Sequence, residues 1–185
     1  MTTMRVFIAV EIKATAMILK FEKEIEKTHA NIKLVEPENI HVTLKFLGDT
    51  EEKFIDSIEH IMKETVKETS PFNLKLIRTG VFPNENYTKV IWIGIEDGNI
   101  LQTLAQRLDE QLINLGFPKE KRGFSPHLTI GRVKTAENKT QLLQLLHHYA
   151  DTEFGEYKID TIVLKKSDLT PKGPIYTTLK EVKFE

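Results

Sequence analysis

At 185 residues, with 40% hydrophobic and 29% charged residues, the chain has the composition of an ordinary soluble globular protein able to bury a sizeable core. A formal net charge of −1 excludes coating of long nucleic acid through a global positive field, and zero cysteines exclude disulfides, thiol nucleophiles and cysteine-ligated metal centres. No apolar stretch approaches the ~20 residues of a membrane span and no secretory signal opens the chain, so the expected setting is cytoplasmic, away from membranes.

Arg5 to Val10 is a continuous apolar run of strand type. A helix follows, with Met17, Phe21 and Ile25 on one face. The tetrapeptide H-V-T-L at His41 to Leu44 sits in a β-branched, apolar run and reads as a second strand. Side chains alternate along a strand, so His41 and Thr43 share one face while Val42 and Leu44 take the other. Asp49 with Glu52 resembles a capping box, opening a helix striped by Phe54, Ile55, Ile58, Ile61 and Met62. Phe72 to Val81 is strand-like, and Pro83 to Asn86 is expected to be a loop.

The pattern then begins again. Trp92-Ile93-Gly94-Ile95-Glu96 matches Phe7-Ile8-Ala9-Val10-Glu11 at an offset of 85 residues (7 to 92). A helix carrying Leu101, Leu104, Leu108 and Leu112 is expected to start at Asn99 and stop at Gly116, with Pro118 beyond. H-L-T-I at His127 to Ile130 repeats the first tetrapeptide at an offset of 86 (41 to 127). Thr135 or Asn138 opens a helix with Leu142, Leu145, Leu146 and Tyr149. Tyr157 to Leu164 closes the second half, and Tyr176 to Phe184 alternates well enough for one more strand. The expected fold is therefore α+β, a single bilobal unit over residues 1–185 made of two β-α-β-α-β halves. Two small, mainly antiparallel sheets, each backed by helices, would meet across a cleft with the two histidines opposed.

Histidine's ordinary pKa of ~6.5 lets one ring be neutral and another protonated near neutral pH. One can take a proton from water while the other gives one to a leaving oxygen, and two threonine hydroxyls can donate to non-bridging oxygens. That set suits in-line displacement at phosphorus and needs no cofactor or metal. A lone strand histidine is more often structural, and strand threonines usually reflect β propensity; duplication inside a whole-chain repeat is what shifts the balance. His29, His60, His147 and His148 lack matching partners and are assigned to surface or helix-packing roles. Two histidines could instead ligate zinc, but no third ligand or H-E-x-x-H presents itself. No Gly-rich phosphate loop is present either. Lys119, Lys121, Arg122, Arg132 and Lys134 flank His127, and read either as a solvated loop or as a phosphate-facing patch.

The motifs H-V-T-L-K-F-L-G-D at His41 to Asp49 and S-P-H-L-T-I-G-R at Ser125 to Arg132 closely resemble those of the two-histidine (2H) phosphoesterases. Within that group the chain is most similar to the RNA 2′,3′-cyclic phosphodiesterase branch, also called 2′-5′ RNA ligase. R-V-F-I-A-V-E near the start, G-V-F-P-N at Gly80 to Asn84 and S-D-L-T-P-K-G-P-I-Y at Ser167 to Tyr176 extend the resemblance over nearly the whole chain. It implies metal-independent opening of a terminal 2′,3′-cyclic phosphate to a 2′-phosphate, with reversible 2′-5′ joining of RNA ends. His41 would be proton donor to the leaving 3′-oxygen and His127 proton acceptor from water, with Thr43 and Thr129 on phosphate oxygens. Arg132 matches an arginine after the second motif, although a regular strand would point it away from His127 unless a bulge near Gly131 re-aims it. Phe82, Phe124 and Tyr176 are candidates for stacking on the terminal base or for plain core packing. RNA ends, tRNA halves or small cyclic nucleotides would be substrates of a monomer. The alternative is a module that binds a nucleotide or RNA end without turning it over.

Overall fold

The apolar run near the N-terminus forms β1 (Thr3–Glu11) in the computed structural model, which describes residues 2–185. Val6 to Val10 are buried without a break. The reason is that both faces of β1 are covered. Val6, Ile8 and Val10 enter the main core, while Phe7 and Ala9 form a smaller cluster with Val163 under Tyr176.

After β1 the chain forms α1 (Ala16–Lys27), β2 (Ile32–Leu34), β3 (His41–Glu51), α2 (Ile55–Val66) and β4 (Phe72–Pro83). The second half runs through β5 (Thr88–Glu96), α3 (Ile100–Leu112), β6 (His127–Val133), α4 (Lys139–His148), β7 (Glu153–Ile159), β8 (Thr161–Thr170) and β9 (Gly173–Lys183). The strands make two antiparallel sheets, ordered β3-β1-β8-β9 and β2-β6-β5-β4-β7, so the fold is α+β as expected. Among the described residues no helix is long and apolar enough to cross a membrane.

The halves do not close on themselves. β4, which ends the first half, pairs with β5 in the second sheet, and its counterpart β8 pairs with β1 in the first. The segment expected as one strand, Tyr157 to Leu164, is split at Asp160, where the chain passes from one sheet to the other. The helices are shared in the same way. α2 and α3 pack together and reach β9 and β3, whereas α1 and α4 pack together and reach β7 and β4. Each sheet is therefore backed by one helix from each half. The repeat register also differs by two from the sequence match: Ala9 and Glu11 face Thr43 and His41, while Trp92 and Gly94 face Thr129 and His127. A shift of two preserves which face a side chain takes.

Helix starts depart from the expected caps. β3 continues to Glu51 because Thr50 and Glu51 pair with Met4 and Thr3, so the Asp49/Glu52 box does not form and α2 begins after a short turn, without a side-chain cap. Asn99 adopts a left-handed conformation (φ 66°), and Asp97 caps α3 in its place, accepting from Leu101 N at 2.6 Å and Asn99 N at 3.1 Å. Asn138 precedes α4, but its side chain donates to the His29 carbonyl instead of capping. Past α3 a short turn ends at Gly116, whose φ of 88° suits a residue without Cβ.

One buried ion pair ties the first sheet to its helices. Lys45 of β3 and Asp109 of α3 are 7% and 8% exposed and bond each other directly. Lys45 also donates to the Pro118 carbonyl at 2.8 Å, and Asp109 accepts the Glu120 N–H at 3.0 and 3.1 Å. Burial alone would raise the Asp109 pKa, but Lys45 and the Glu120 amide hold it below the ordinary carboxylate value. Lys45→Met leaves that carboxylate buried with its cation gone, and is expected to cost about 3–5 kcal/mol in urea unfolding. Adding Asp109→Leu to Lys45→Met should recover much of the loss; a single-variant cost below about 1 kcal/mol would show that the pair does not pin β3.

Candidate active site

The two histidine strands begin in the same way. His41 Nδ1 donates to the Asn39 carbonyl at 2.6 Å, and His127 Nδ1 donates to the Ser125 carbonyl at 2.8 Å. A carbonyl oxygen only accepts, so Nδ1 carries the hydrogen in both rings and Nε2 is left to work. His41 Nε2 lies 3.0 Å from Thr43 Oγ1, whose hydroxyl it accepts when the ring is neutral. β3 and β6 belong to different sheets yet approach within 8 Å between Cα atoms. His41, Thr43, His127 and Thr129 consequently line one cavity of about 460 Å³. The duplicated elements share a single space.

A bulge falls at the fourth residue of each motif. Thr43 faces Ala9 and Lys45 faces Ile8, leaving Leu44 unpaired; Thr129 faces Trp92 and Gly131 faces Ile91, leaving Ile130 unpaired. Each bulge buries two successive residues, Leu44 with Lys45 and Ile130 with Gly131. It also reverses the alternation beyond, so Phe46 and Arg132 return to the histidine face and line the cavity. Of the two orientations open to Arg132 from the sequence, the structure has the one a bulge re-aims, and the bulge falls one residue earlier than Gly131. Gly131 has its own reason: a Cβ there would meet Ile32 Cδ1 of β2 at 2.8 Å.

The aromatic candidates divide. Tyr176 lines the cavity and meets His41 edge-on at 5.3 Å and Phe7 at 5.0 Å. Phe82 does not line it; it packs against Trp92 at 5.4 Å and edge-on against His127 at 5.0 Å, supporting that ring from behind. Gly80 permits this, because a Cβ there would lie 2.1 Å from the Trp92 ring. Phe124 is also absent from the cavity and packs on the main core. Phe7, with its ring 4.9 Å from His41, and Phe46 are the aromatic cavity residues that sequence reasoning missed. Phe7 was visible as an odd large residue in the leading apolar run; Phe46 required the bulge.

Of the five cations flanking His127, Arg132 alone reaches the cavity, where Arg5 and Lys33 join it from other elements. The loop holding Lys119, Lys121 and Arg122 is tethered instead to Asp109 through Glu120 N. His29, His60, His147 and His148 are exposed and lie away from the cavity, His29 just past α1 and not on it. His147 pairs with Glu85 at 2.6 Å. Among the described residues no cluster of three or more His, Cys, Asp or Glu is arranged to hold a metal ion.

Burial pushes the His41 pKa below the ordinary histidine value; Lys165 acts in the same direction, while the Asn39 carbonyl and Glu11 act against it. Lys165 and Glu11 are ion-paired with each other. Burial also raises the Tyr176 phenol, which stays protonated beside the ring.

Sequence comparison places the chain among known proteins. A family profile described as the 2′-5′ RNA ligase superfamily matches residues 17–170. A Methanocaldococcus jannaschii protein named RNA 2′,3′-cyclic phosphodiesterase is 43% identical over 180 residues, covering 96% of this chain and 99% of that protein. An Aquifex aeolicus protein of the same name is 43% identical over 152 residues, 80% of each chain. The crystal structure of TT0787 from Thermus thermophilus superposes with a TM-score of 0.81 at 26% identity, over 98% of both chains. E. coli LigT complexed with 3′-AMP shares the fold, with a TM-score of 0.75 at 22% identity over 99% of both chains.

Because folded His41 holds its proton less tightly than an unfolded histidine, the stability linked to it is complete above about pH 6.5 and is lost as pH falls through that value toward the folded pKa. Ring NMR of the ligand-free protein should show His41 titrating below about 6.5, and added inorganic phosphate should move it upward. Titration at or above that value in the free protein would mean that burial is not the dominant influence.

Proposed function

The chain belongs to the 2′-5′ RNA ligase superfamily, and from that membership and the geometry of its cleft we propose that it hydrolyses 2′,3′-cyclic phosphate ends of RNA to 2′-phosphomonoesters by paired histidine acid–base catalysis. The observation that carries the reading is the pair of matched rings on one cavity, each with Nδ1–H held by a backbone carbonyl and Nε2 unspent by it.

Water attacks phosphorus as His127 Nε2 accepts its proton, and the bond from phosphorus to the 3′-oxygen breaks as His41 Nε2 delivers a proton to that oxygen. Each role is typically worth ~10² to 10⁴ in rate. Thr43, Thr129 and Arg132 bond the non-bridging oxygens, where charge accumulates. Two observations support giving the acid role to His41. Aromatic rings pack against it, Phe7 at 4.9 Å and Tyr176 at 5.3 Å, and suit the nucleoside that bears the leaving oxygen. The Arg132 side, with His127, suits the water and the anionic oxygens. The low pKa of free His41 is consistent with that role: an anionic phosphate entering the cleft favours the imidazolium, so the acid is loaded when substrate arrives. A 5′-hydroxyl of a second RNA end attacking phosphorus in place of water, with His127 taking its proton and the same bond to the 3′-oxygen breaking, leaves a 2′-5′ phosphodiester, which is the joining reaction that the superfamily's name describes.

A monomer suffices on this reading, since one chain supplies both histidines. We treat the chain as one bilobal unit, because neither half carries a complete sheet of its own and side chains of both sheets share the main core. Oligonucleotide ends and tRNA halves are substrates of the kind the cleft would accept, in the cytoplasm.

Incubation with a 2′,3′-cyclic nucleotide, followed by phosphorus NMR, should show conversion to the 2′-monophosphate, undiminished by EDTA. His41→Ala and His127→Ala should each lower kcat by about 10² to 10⁴ while leaving the unfolding transition in place. Binding without turnover would favour the non-catalytic module, and full activity in either variant would sink the acid–base assignment.

A further inference from the structure

The cavity continues past the histidines along the β8–β9 hairpin. Ser167 pairs with Tyr176 and Leu169 with Pro174, and all four line it. Leu169 stands two residues farther along β8 than Ser167, about 7 Å at the rise of a strand. It is 68% exposed. Phe46, on the same cavity, is 50% exposed, with the Arg5 guanidinium 4.9 Å above its ring. Large apolar side chains left open beside a polar, cationic cleft are stabilised when a flat apolar group covers them.

A single reacting phosphate is served by Thr43, Thr129 and Arg132, so Arg5 is a cation beyond that need. The hairpin tip is already ordered. Asn39 Nδ2 donates to the Pro174 carbonyl at 3.2 Å, and Thr170 Oγ1 donates to the Gly173 carbonyl at 2.6 Å. A ligand covering Leu169 therefore meets a preorganised surface. The nearby acids do not oppose an anionic ligand: Glu36 is paired with Lys33 at 2.8 Å, and Asp168 is paired with Lys166 at 3.0 Å.

We propose that Leu169, with Pro174 beside it and the Arg5–Phe46 pair on the same cavity, binds the nucleotide that precedes the reacting one, so that single-stranded RNA ends are taken in preference to free cyclic mononucleotides. This rests on the phosphodiesterase reading above. Single-stranded RNA fits because its bases cover apolar platforms while its phosphates meet arginine, and here both are continuous with the catalytic cleft.

The test compares kcat/KM for a dinucleotide and a mononucleotide, each ending in a 2′,3′-cyclic phosphate. It uses the wild type, Leu169→Ala and Ile175→Ala. Ile175 is 58% exposed but pairs with Asp168, on the opposite face of the hairpin from Leu169. The wild type should favour the dinucleotide by about tenfold or more. Leu169→Ala should remove most of that preference with less than about a twofold change on the mononucleotide, and Ile175→Ala should alter neither. Equal wild-type turnover of both substrates, or equal loss on both in Leu169→Ala, overturns the subsite and leaves the phosphodiesterase reading standing. An Ile175→Ala effect as large as that of Leu169→Ala overturns it as well, and points to a protein partner or to the hairpin's own stability. A wild type inert on both substrates removes the underlying reading and the subsite with it.

Discussion

The reciprocal exchange of closing strands is the constraint on which the cleft depends. β1 and β5 are apolar and need a strand on both edges. Each takes its own half's histidine strand on one side and the other half's closing strand on the second. Neither half of the chain can therefore move away from the other without losing a central ladder. The main core reinforces this, since buried side chains of both sheets and all four helices belong to one contiguous cluster. The two histidines lie on different sheets, so their relative position is set by that shared core and by the chain crossing between the sheets.

The bulge at the fourth motif position turns that scaffold into a site. Without it, alternation would leave only His and Thr of each motif on the cleft face. With it, a third side chain returns, and this third position is where the two copies part company: Phe46 in one, Arg132 in the other. The residue buried just before it differs too. In the first copy it is Lys45, engaged with Asp109; in the second it is Gly131, whose missing side chain is replaced by Ile32 from β2. Duplication supplies the paired histidines and threonines, and divergence two and three residues past threonine sets Phe46 in one copy against Arg132 in the other.

Much of this was legible in the sequence, and the omissions share a physical cause. Element type came through because hydrophobic period reports it locally, as in the Leu101-Leu104-Leu108-Leu112 stripe of α3. The histidine face was readable from alternation alone. Strand partnership was not, because β4 and β8 show the same pattern whichever antiparallel neighbour receives them. The Asp49/Glu52 box failed because cross-strand pairing of Thr50 and Glu51 with β1 outweighs a local cap. Arg132 was found through resemblance and Phe46 was missed for one reason: a bulge moves a residue between faces without leaving a mark on composition. Phe82 and Phe124 illustrate the opposite limit. An aromatic near a motif is as well used bracing a histidine ring, or the core, as touching a ligand.

The two histidines are alike in the backbone bond at Nδ1 and unlike in surroundings, and that combination is what the proposed acid–base mechanism requires. Identical rings in identical settings would compete for one proton and could not be assigned opposite roles. The backbone carbonyls of Asn39 and Ser125 fix both tautomers in the same sense, which leaves both Nε2 atoms clear of the backbone. The difference lies in what packs behind. His41 packs against both Phe7 and Tyr176, with the Glu11–Lys165 pair nearby, and is desolvated. His127 is braced edge-on by Phe82 and shares its strand with Arg132. Because burial penalises the imidazolium, an anion entering the cleft offsets that penalty at His41, the ring that carries the proton in the proposed mechanism.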